Sequence, residues 1–279
     1  MTIHAAPAPS SPVLDPTATE PPAPRAVRSR GPHRVVAVMG TVVSIDVRDA
    51  GIAETIIDAV VAHLHDVDAR FSPYRPDSEV SRFGRGEVAL DDASQDLRYV
   101  LTRCEQLRRE SDGVFDVWRH RGDSRFDPSG YVKGWAVEEA ALNLEAAGAT
   151  AYAINAGGDV IARGGPQPGL AWRVGIRHPD RADALVAVLA VSDLAVATSG
   201  SYERGGHIHD PRDGSSPTDL TSLTVVGPSL TLADAYATIG FAMGSEGPAW
   251  VARHAGYGVY AVTAEGRGRW SDDVERLLA

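Results

Sequence analysis

The sequence has one cysteine, no long apolar run and no excess of basic residues, and each shortage excludes a class of protein. The single cysteine, Cys104, cannot form an intrachain disulfide or a C-x-x-C metal site. No run of about 18 apolar residues occurs, so we expect no membrane-spanning helix. The formal net charge of −10 argues against nucleic acid as the main partner, because binding to a phosphate backbone needs a basic face.

The first 32 residues differ in composition from the rest of the chain. They are rich in Ala and Pro, which is typical of a disordered tail. They lack the continuous apolar segment of a signal peptide, and they contain no cysteine that could carry a lipid. We therefore expect a tail over residues 1–32, one folded domain over residues 33–279 and a cytoplasmic location, with export by another route left open.

Hydrophobic periodicity predicts both helices and strands in the remaining chain. Apolar spacings of three and four residues predict helices over 52–69, 91–109, from within 126–136 to 147, and over 229–244. Apolar and β-branched runs predict strands within 34–47, 151–163, 170–176, 184–191, 222–226 and 256–262. Two prolines, two glycines and several polar residues predict a loop over 71–86.

The segment 229–244 is almost wholly apolar or small, which predicts a buried helix that carries two polar side chains. Asp234 and Thr238 are four residues apart and so lie on the same side of the helix. A buried carboxylate is costly unless its charge is compensated, and a carboxylate with a hydroxyl is a ligand set that Mg²⁺ accepts. The alternative is local, because Thr231 and Asp234 have the spacing of a capping box and Thr238 can bond back to the Asp234 carbonyl.

Two glycine-containing segments have the composition of anion-binding sites. Gly130 and Lys133 stand at the start of the third predicted helix, where free N–H groups and the helix dipole attract an anion. The alternative there is a helix start with an exposed lysine. Gly157 and Gly158 either approach a phosphate or close a hairpin. No G-x-G-x-x-G is present, so a Rossmann dinucleotide site is unsupported.

Histidines and aromatic residues leave two further interpretations open. His207 and His209 are two apart, so on a strand they would face the same side, either in one site or as a structural pair. Phe71, Tyr74 and Phe83 in the predicted loop either stack on a planar ligand or anchor the loop to the core.

Nine motifs, taken in order, resemble the FAD:protein FMN transferase family, also called the ApbE family. The resemblance extends from Val38 to Val262. The motifs are MGT (39–41), FSPYRPDSEVSR (71–82), SDGVFDV (111–117), KGWAVE (133–138), NAGGD (155–159), WRVGIRHP (172–179), AVATSGSYER (195–204), HIHDPRDG (207–214) and TVVGPSLTLADAYAT (224–238).

The resemblance implies a fold and an activity. The fold would be a single α+β domain of mostly antiparallel sheets packed with helices, with a flavin cleft between them. The activity would be Mg²⁺-dependent transfer of FMN from FAD, the substrate, to a Thr or Ser hydroxyl of an acceptor protein, with release of AMP. The alternatives are a FAD pyrophosphatase that makes FMN and AMP, and a non-catalytic FAD-binding protein.

The resemblance also implies roles for particular residues. His207 would be the base for the acceptor hydroxyl, and Lys133 and Asp234 would act with it in catalysis. The backbone carbonyl of Gly130 would hold the metal together with Asp234 and Thr238. The residues that would contact the flavin nucleotide are Met39, Tyr74, Val114, Phe115, Asp116, Asp127, Lys133 and His209.

Overall fold

A nine-stranded sheet forms the frame of the molecule. The structure, a computed structural model, describes residues 3–5, 31–118, 126–181, 183–201 and 209–279. The strands in these ranges are β1 (Ile3–Ala5), β2 (His33–Val38), β3 (Thr41–Val47), β4 (Tyr152–Ala156), β5 (Asp159–Arg163), β6 (Trp172–Arg177), β7 (Leu185–Val191), β8 (Leu194–Gly200), β9 (Leu220–Gly227), β10 (Gly258–Thr263) and β11 (Gly268–Ser271). The helices are α1 (Glu54–Phe71), α2 (Glu79–Gly84), α3 (Gln95–Glu110), α4 (Ser129–Ala146), α5 (Leu230–Ala242), α6 (Gly247–Val251) and α7 (Asp272–Glu275), with 3₁₀ turns at Leu90–Asp92 and Gly244–Glu246.

The strand order in the large sheet is β1-β11-β10-β9-β8-β5-β4-β3-β2, and β6 and β7 form a separate two-stranded sheet. Each neighbouring pair is antiparallel. The predicted α+β class with mostly antiparallel sheet is therefore confirmed. None of the helices in the described ranges has the length and apolar character needed to span a membrane.

Both faces of the large sheet are covered, and side-chain alternation along the strands divides the core in two. On β9, Leu223 and Val225 belong to the large core beneath the helices, whereas Val226 belongs to a smaller core that includes Trp172 of β6 and Val191 of β7. Successive residues of a strand point to opposite faces, so a strand covered on both sides is apolar throughout. This is why the central strands lack the polar alternation of a surface sheet.

The hairpin between β2 and β3 has a two-residue turn. Met39 and Gly40 both have positive φ angles, +54° and +68°, and Val38 pairs with Thr41 across the turn. Two consecutive residues with positive φ are the signature of a type I′ turn, whose twist matches that of the strands. The turn projects Met39 beyond the end of the sheet.

The predicted helices form with small changes in their bounds, and the prediction of an uninterrupted loop over 71–86 is wrong. That segment contains the short helix α2, which begins because the Ser78 hydroxyl accepts a hydrogen bond from the Ser81 N–H at 3.0 Å. Cys104 is buried on α3, and burial raises the pKa of its thiol, as expected for a core cysteine.

Most of the predicted N-terminal tail lies outside the described residues. Residues 3–5 form β1, which pairs with β11 at one edge of the large sheet. The boundary between tail and domain at residues 32 and 33 stays a prediction.

Candidate functional site

A cleft of about 670 Å³ lies where the β2–β3 turn, the end of α1, the start of α4 and helix α5 meet. Each predicted site residue that the structure describes lines this cleft. They are Met39, Tyr74, Val114, Phe115, Asp116, Asp127, Gly130, Lys133, His209, Asp234 and Thr238. His207 lies outside the described residues. The roles of all these residues stay predictions.

Asp234 is a buried carboxylate whose contacts come from a neighbouring helix. It is 3% exposed, and its Oδ2 accepts a hydrogen bond from the Gly134 N–H of α4 at 3.0 Å. Its Oδ1 lies 3.3 Å from Lys133 Nζ. The N-cap of α5 is Ser229, whose hydroxyl accepts from the Leu232 N–H. Thus the charge of Asp234 is compensated across the helix interface, and the capping-box alternative, which placed Thr231 at the cap, is wrong.

Thr238 and Gly130 are neighbours in the cleft although they are far apart in sequence. A Cβ built on Gly130 would lie 3.9 Å from Thr238 Cγ2, and Thr238 Oγ1 lies 3.3 Å from the Ser199 hydroxyl. The described residues contain no cluster of three or more His, Cys, Asp or Glu side chains that could hold a metal. A cation here would therefore rely on Asp234 and neutral oxygens, the sparse protein set with which Mg²⁺ binds substrate phosphates.

A second buried carboxylate, Asp159, contacts the cleft residue Lys133, and the sequence reasoning missed it. It is 2% exposed and forms an ion pair with Lys133, while its Oδ1 accepts a hydrogen bond from the Thr198 N–H of β8 at 3.0 Å. The available signal was the motif NAGGD at 155–159, which predicted only a turn.

The three aromatic residues of the 71–86 segment divide between the two interpretations. Phe71 is buried and packs edge-on against Trp135, with ring centroids 5.3 Å apart. Phe83 packs against Phe126 at 5.2 Å. Tyr74 is 65% exposed and lines the cleft. Phe71 and Phe83 therefore anchor the segment, while Phe71 also lines the cleft together with the exposed ring of Tyr74.

The wall formed by residues 114–117 is held by a fully buried serine. The Ser111 hydroxyl donates to the Leu107 carbonyl at 2.7 Å and accepts from the Phe115 N–H at 3.0 Å. Asp112 and Gly113 between them have positive φ angles of +51° and +85°. This turn brings Phe115 to the cleft wall beside Gly130, whose added Cβ would lie 3.3 Å from the Phe115 ring.

Two acidic residues of the cleft also stabilise the backbone around it. Asp116 Oδ1 accepts from the Trp118 N–H at 2.8 Å. Asp127 Oδ1 accepts from the Ser129 N–H at 2.8 Å, at the first residue of α4. His209 also lines the cleft, and its Nδ1 lies 2.7 Å from the Ser216 hydroxyl. Arg177, which sequence reasoning did not single out, lines the cleft from the end of β6.

Comparisons with known proteins agree on one family. A family model described as the ApbE family matches residues 39–121 and 117–261. The FAD:protein FMN transferase of Klebsiella pneumoniae (strain 342) is 34% identical over 152 residues, which make up 51% of this chain and 43% of that protein. The protein of the same name from Haemophilus influenzae is 25% identical over an alignment of 290 residues. This alignment covers 80% of this chain and 84% of the relative.

A solved structure shows the same fold. The flavin transferase ApbE from Vibrio cholerae superimposes with a TM-score of 0.76 at 24% identity, covering 88% of this chain and 98% of that one. The match to the Klebsiella protein, in contrast, spans less than half of that relative's length. Since the family model matches well over half of the chain, the protein belongs to the ApbE family.

Proposed function

We propose that this protein transfers FMN from FAD to a Thr or Ser hydroxyl of an acceptor protein, with Mg²⁺ and with release of AMP. The observation that carries the proposal is the meeting of Asp234, Thr238, Gly130 and Lys133 in one cleft of an ApbE-family fold. The names of the relatives, FAD:protein FMN transferase, support the same activity.

The charges that line the cleft favour a substrate that enters with a cation. The diphosphate of FAD is a dianion, and an excess of carboxylates repels it unless a positive charge accompanies it. The lining has two more acids than bases: it contains four aspartates, Asp68, Asp116, Asp127 and Asp234, against Lys133 and Arg177.

The residues present fit a magnesium ion. The Asp234 carboxylate, the Thr238 hydroxyl and the Gly130 carbonyl are hard oxygen donors, and the remaining ligands of such an ion are waters and substrate phosphates. When bound, the ion supplies Lewis-acid stabilisation of the charge that develops on the phosphoryl oxygens.

The chain's own residues supply the other parts of the reaction. Lys133 places an ammonium group at the diphosphate, and Tyr74 offers an exposed ring on which the flavin can stack. The acceptor oxygen forms a bond to the phosphorus of the FMN half, the bond from that phosphorus to the oxygen of AMP breaks, and AMP leaves with the bond electrons. In the family assignment, His207 takes the proton of the acceptor hydroxyl.

The test is an incubation of the protein with FAD, Mg²⁺ and a flavin-acceptor domain. We expect flavin fluorescence on the acceptor after denaturing electrophoresis, an acceptor mass increased by one FMN group, and AMP in equal amount. Chelation of the metal with EDTA should abolish both products. AMP without labelled acceptor would instead identify a FAD pyrophosphatase, and bound FAD without AMP a flavin-binding protein; either result would overturn the proposal.

A further inference from the structure

Lys133 lies between two buried carboxylates that come from different elements. Its Nζ forms an ion pair with Asp159 at the start of β5 and lies 3.3 Å from Asp234 Oδ1 on α5. The side chains of Asp159 and Asp234 are 3% and 4% exposed, whereas that of Lys133 is 27% exposed and reaches the cleft. The ammonium is therefore shared, and the carboxylate that competes with Asp234 for it is Asp159.

The position of Asp159 follows from the turn before it and from strand alternation. Gly157 and Gly158, both with positive φ, reverse the chain between β4 and β5. Asp159 then lies on the same face of β5 as Ile161, which packs in the large core beneath the helices. Helix α4 packs on this face of the sheet and places Lys133 next to Asp159.

The two oxygens of Asp159 have different partners. Oδ1 accepts the Thr198 N–H at 3.0 Å, just beyond the point where the β5–β8 ladder ends with Val160 opposite Val196. Oδ2 contacts the ammonium of Lys133. One oxygen therefore binds a backbone N–H of β8, and the other partly compensates the positive charge of Lys133.

We propose that Asp159 is a positioning residue that draws Lys133 away from Asp234 and so keeps the Asp234 carboxylate available to a divalent cation. The inference rests on the proposed function for the identity of the cation and of the diphosphate. With two carboxylates and one ammonium, the three side chains carry a net charge of −1. Without the Asp159 charge, Lys133 and Asp234 form a neutral pair, and a cation must displace Lys133 before it binds.

The substitution Asp159→Asn separates the two roles. The amide oxygen of Asn still accepts the Thr198 N–H, so the sheet is preserved, whereas the charge opposite Lys133 is lost. We expect the Mg²⁺ concentration that gives half of the full rise in unfolding temperature to increase about tenfold, because a negative charge a few ångströms from the ion is removed. We expect the affinity for FAD in EDTA to increase, since the site that meets the diphosphate becomes less negative.

Both quantities are measured by binding, without an acceptor protein. The Mg²⁺ midpoint comes from the rise in thermal unfolding temperature as MgCl₂ is added, and the FAD affinity comes from quenching of flavin fluorescence in EDTA. Asp193→Asn is the matched control, because Asp193 Oδ1 also accepts one backbone N–H, from Gly164 at 2.9 Å, and it does not line the cleft. This control should leave both values unchanged.

A purely structural role for Asp159 would give a different result. Asp159→Asn would then lower the unfolding temperature without Mg²⁺ and leave the Mg²⁺ midpoint unchanged, or it would weaken the binding of Mg²⁺ and of FAD together. Either outcome overturns the inference. If Asp159→Asn folds poorly, Lys133→Gln tests the same electrostatics with the opposite sign. Removal of the ammonium should lower the Mg²⁺ midpoint and weaken FAD binding in EDTA, and unchanged values would contradict the proposal.

The outcomes also separate this inference from the proposed transferase activity. Opposite shifts in Mg²⁺ and FAD binding without any labelled acceptor would support the role of Asp159 and reject the transferase. Labelled acceptor, with wild-type and Asp159→Asn proteins that respond equally to Mg²⁺, would support the transferase and reject the role of Asp159.

Discussion

At the scale of the residue, the chemistry of the cleft depends on carboxylates that are buried but compensated. Asp234 is buried on a helix that is otherwise almost wholly apolar, and an isolated charge there would be strongly unfavourable. The Gly134 N–H and the Lys133 ammonium stabilise it as an anion. The protein therefore holds a negative charge in place at the point where the proposed reaction needs a cation.

Replacement of Asp234 by Asn tests that charge. Asn keeps an oxygen that can accept the Gly134 N–H, so we expect the fold to persist, while AMP release in the presence of FAD, Mg²⁺ and acceptor falls about 100-fold or more. The initial rate of AMP formation measures the effect, with Asp193→Asn as the control. A rate within twofold of the wild type would remove Asp234 from the metal assignment.

At the scale of the element, the packing of α4 against α5 sets the geometry of the cleft. Glu138 of α4 accepts hydrogen bonds from the Ser229 hydroxyl at 2.7 Å and the Thr231 N–H at 3.0 Å, at the start of α5. Gly134 lets the two helices approach closely, since an added Cβ would lie 2.9 Å from the Leu230 carbonyl oxygen and 3.0 Å from Asp234 Cβ. The pair of helices thus positions Lys133 and Asp234 together.

The substitution Gly134→Ala should therefore destabilise the protein although Ala is the better helix former. Overpacking against the α5 backbone costs about 1–3 kcal/mol, which exceeds the gain of about 1 kcal/mol in helix propensity. Urea unfolding measures the change, with Gly51→Ala as a control, because an added Cβ at Gly51 has no atom within 4 Å. A more stable Gly134→Ala protein would show that the helices separate without loss.

At the scale of the whole molecule, the long sheet is held in register by contacts between segments far apart in the chain. Asp49, just after β3, accepts hydrogen bonds from the Thr150 N–H at 2.8 Å, the Thr150 hydroxyl at 2.9 Å and the Ala151 N–H at 2.8 Å. These contacts join the end of β3 to the start of β4. Partial burial raises the pKa of Asp49, but the hydrogen bonds outweigh it and lower this pKa below its usual value.

The lowered pKa predicts a pH-dependent contribution of Asp49 to global stability. Because the folded pKa lies below the unfolded one, near 3.9, the contribution is complete above that value and is lost as the pH falls through the folded pKa. We expect Asp49→Asn to be less stable by about 1 kcal/mol at pH 7, a modest value because the group is partly exposed. Urea unfolding of both proteins between pH 7 and pH 3 should show this difference shrinking, and a constant difference would contradict the assignment.

The sequence by itself determined the local elements and the family. The helix found over Leu230–Ala242, the helix found over Gln95–Glu110 and the motifs in their order depend on residues close together in the chain. Local periodicity and turn chemistry act over a few residues, so they are visible without the fold. The helix α2 was missed because its apolar positions are too few to show a period.

Only the tertiary structure decided which side chains share the site. Asp234 meets an N–H that is 100 positions away in the chain, and Asp159 meets Lys133 across the sheet–helix interface. It also decided that Phe71 and Tyr74 line the cleft, whereas Phe83 packs against Phe126. The reason is that charge compensation and ring packing depend on distances in space, and strand order and helix packing, rather than spacing along the chain, set those distances.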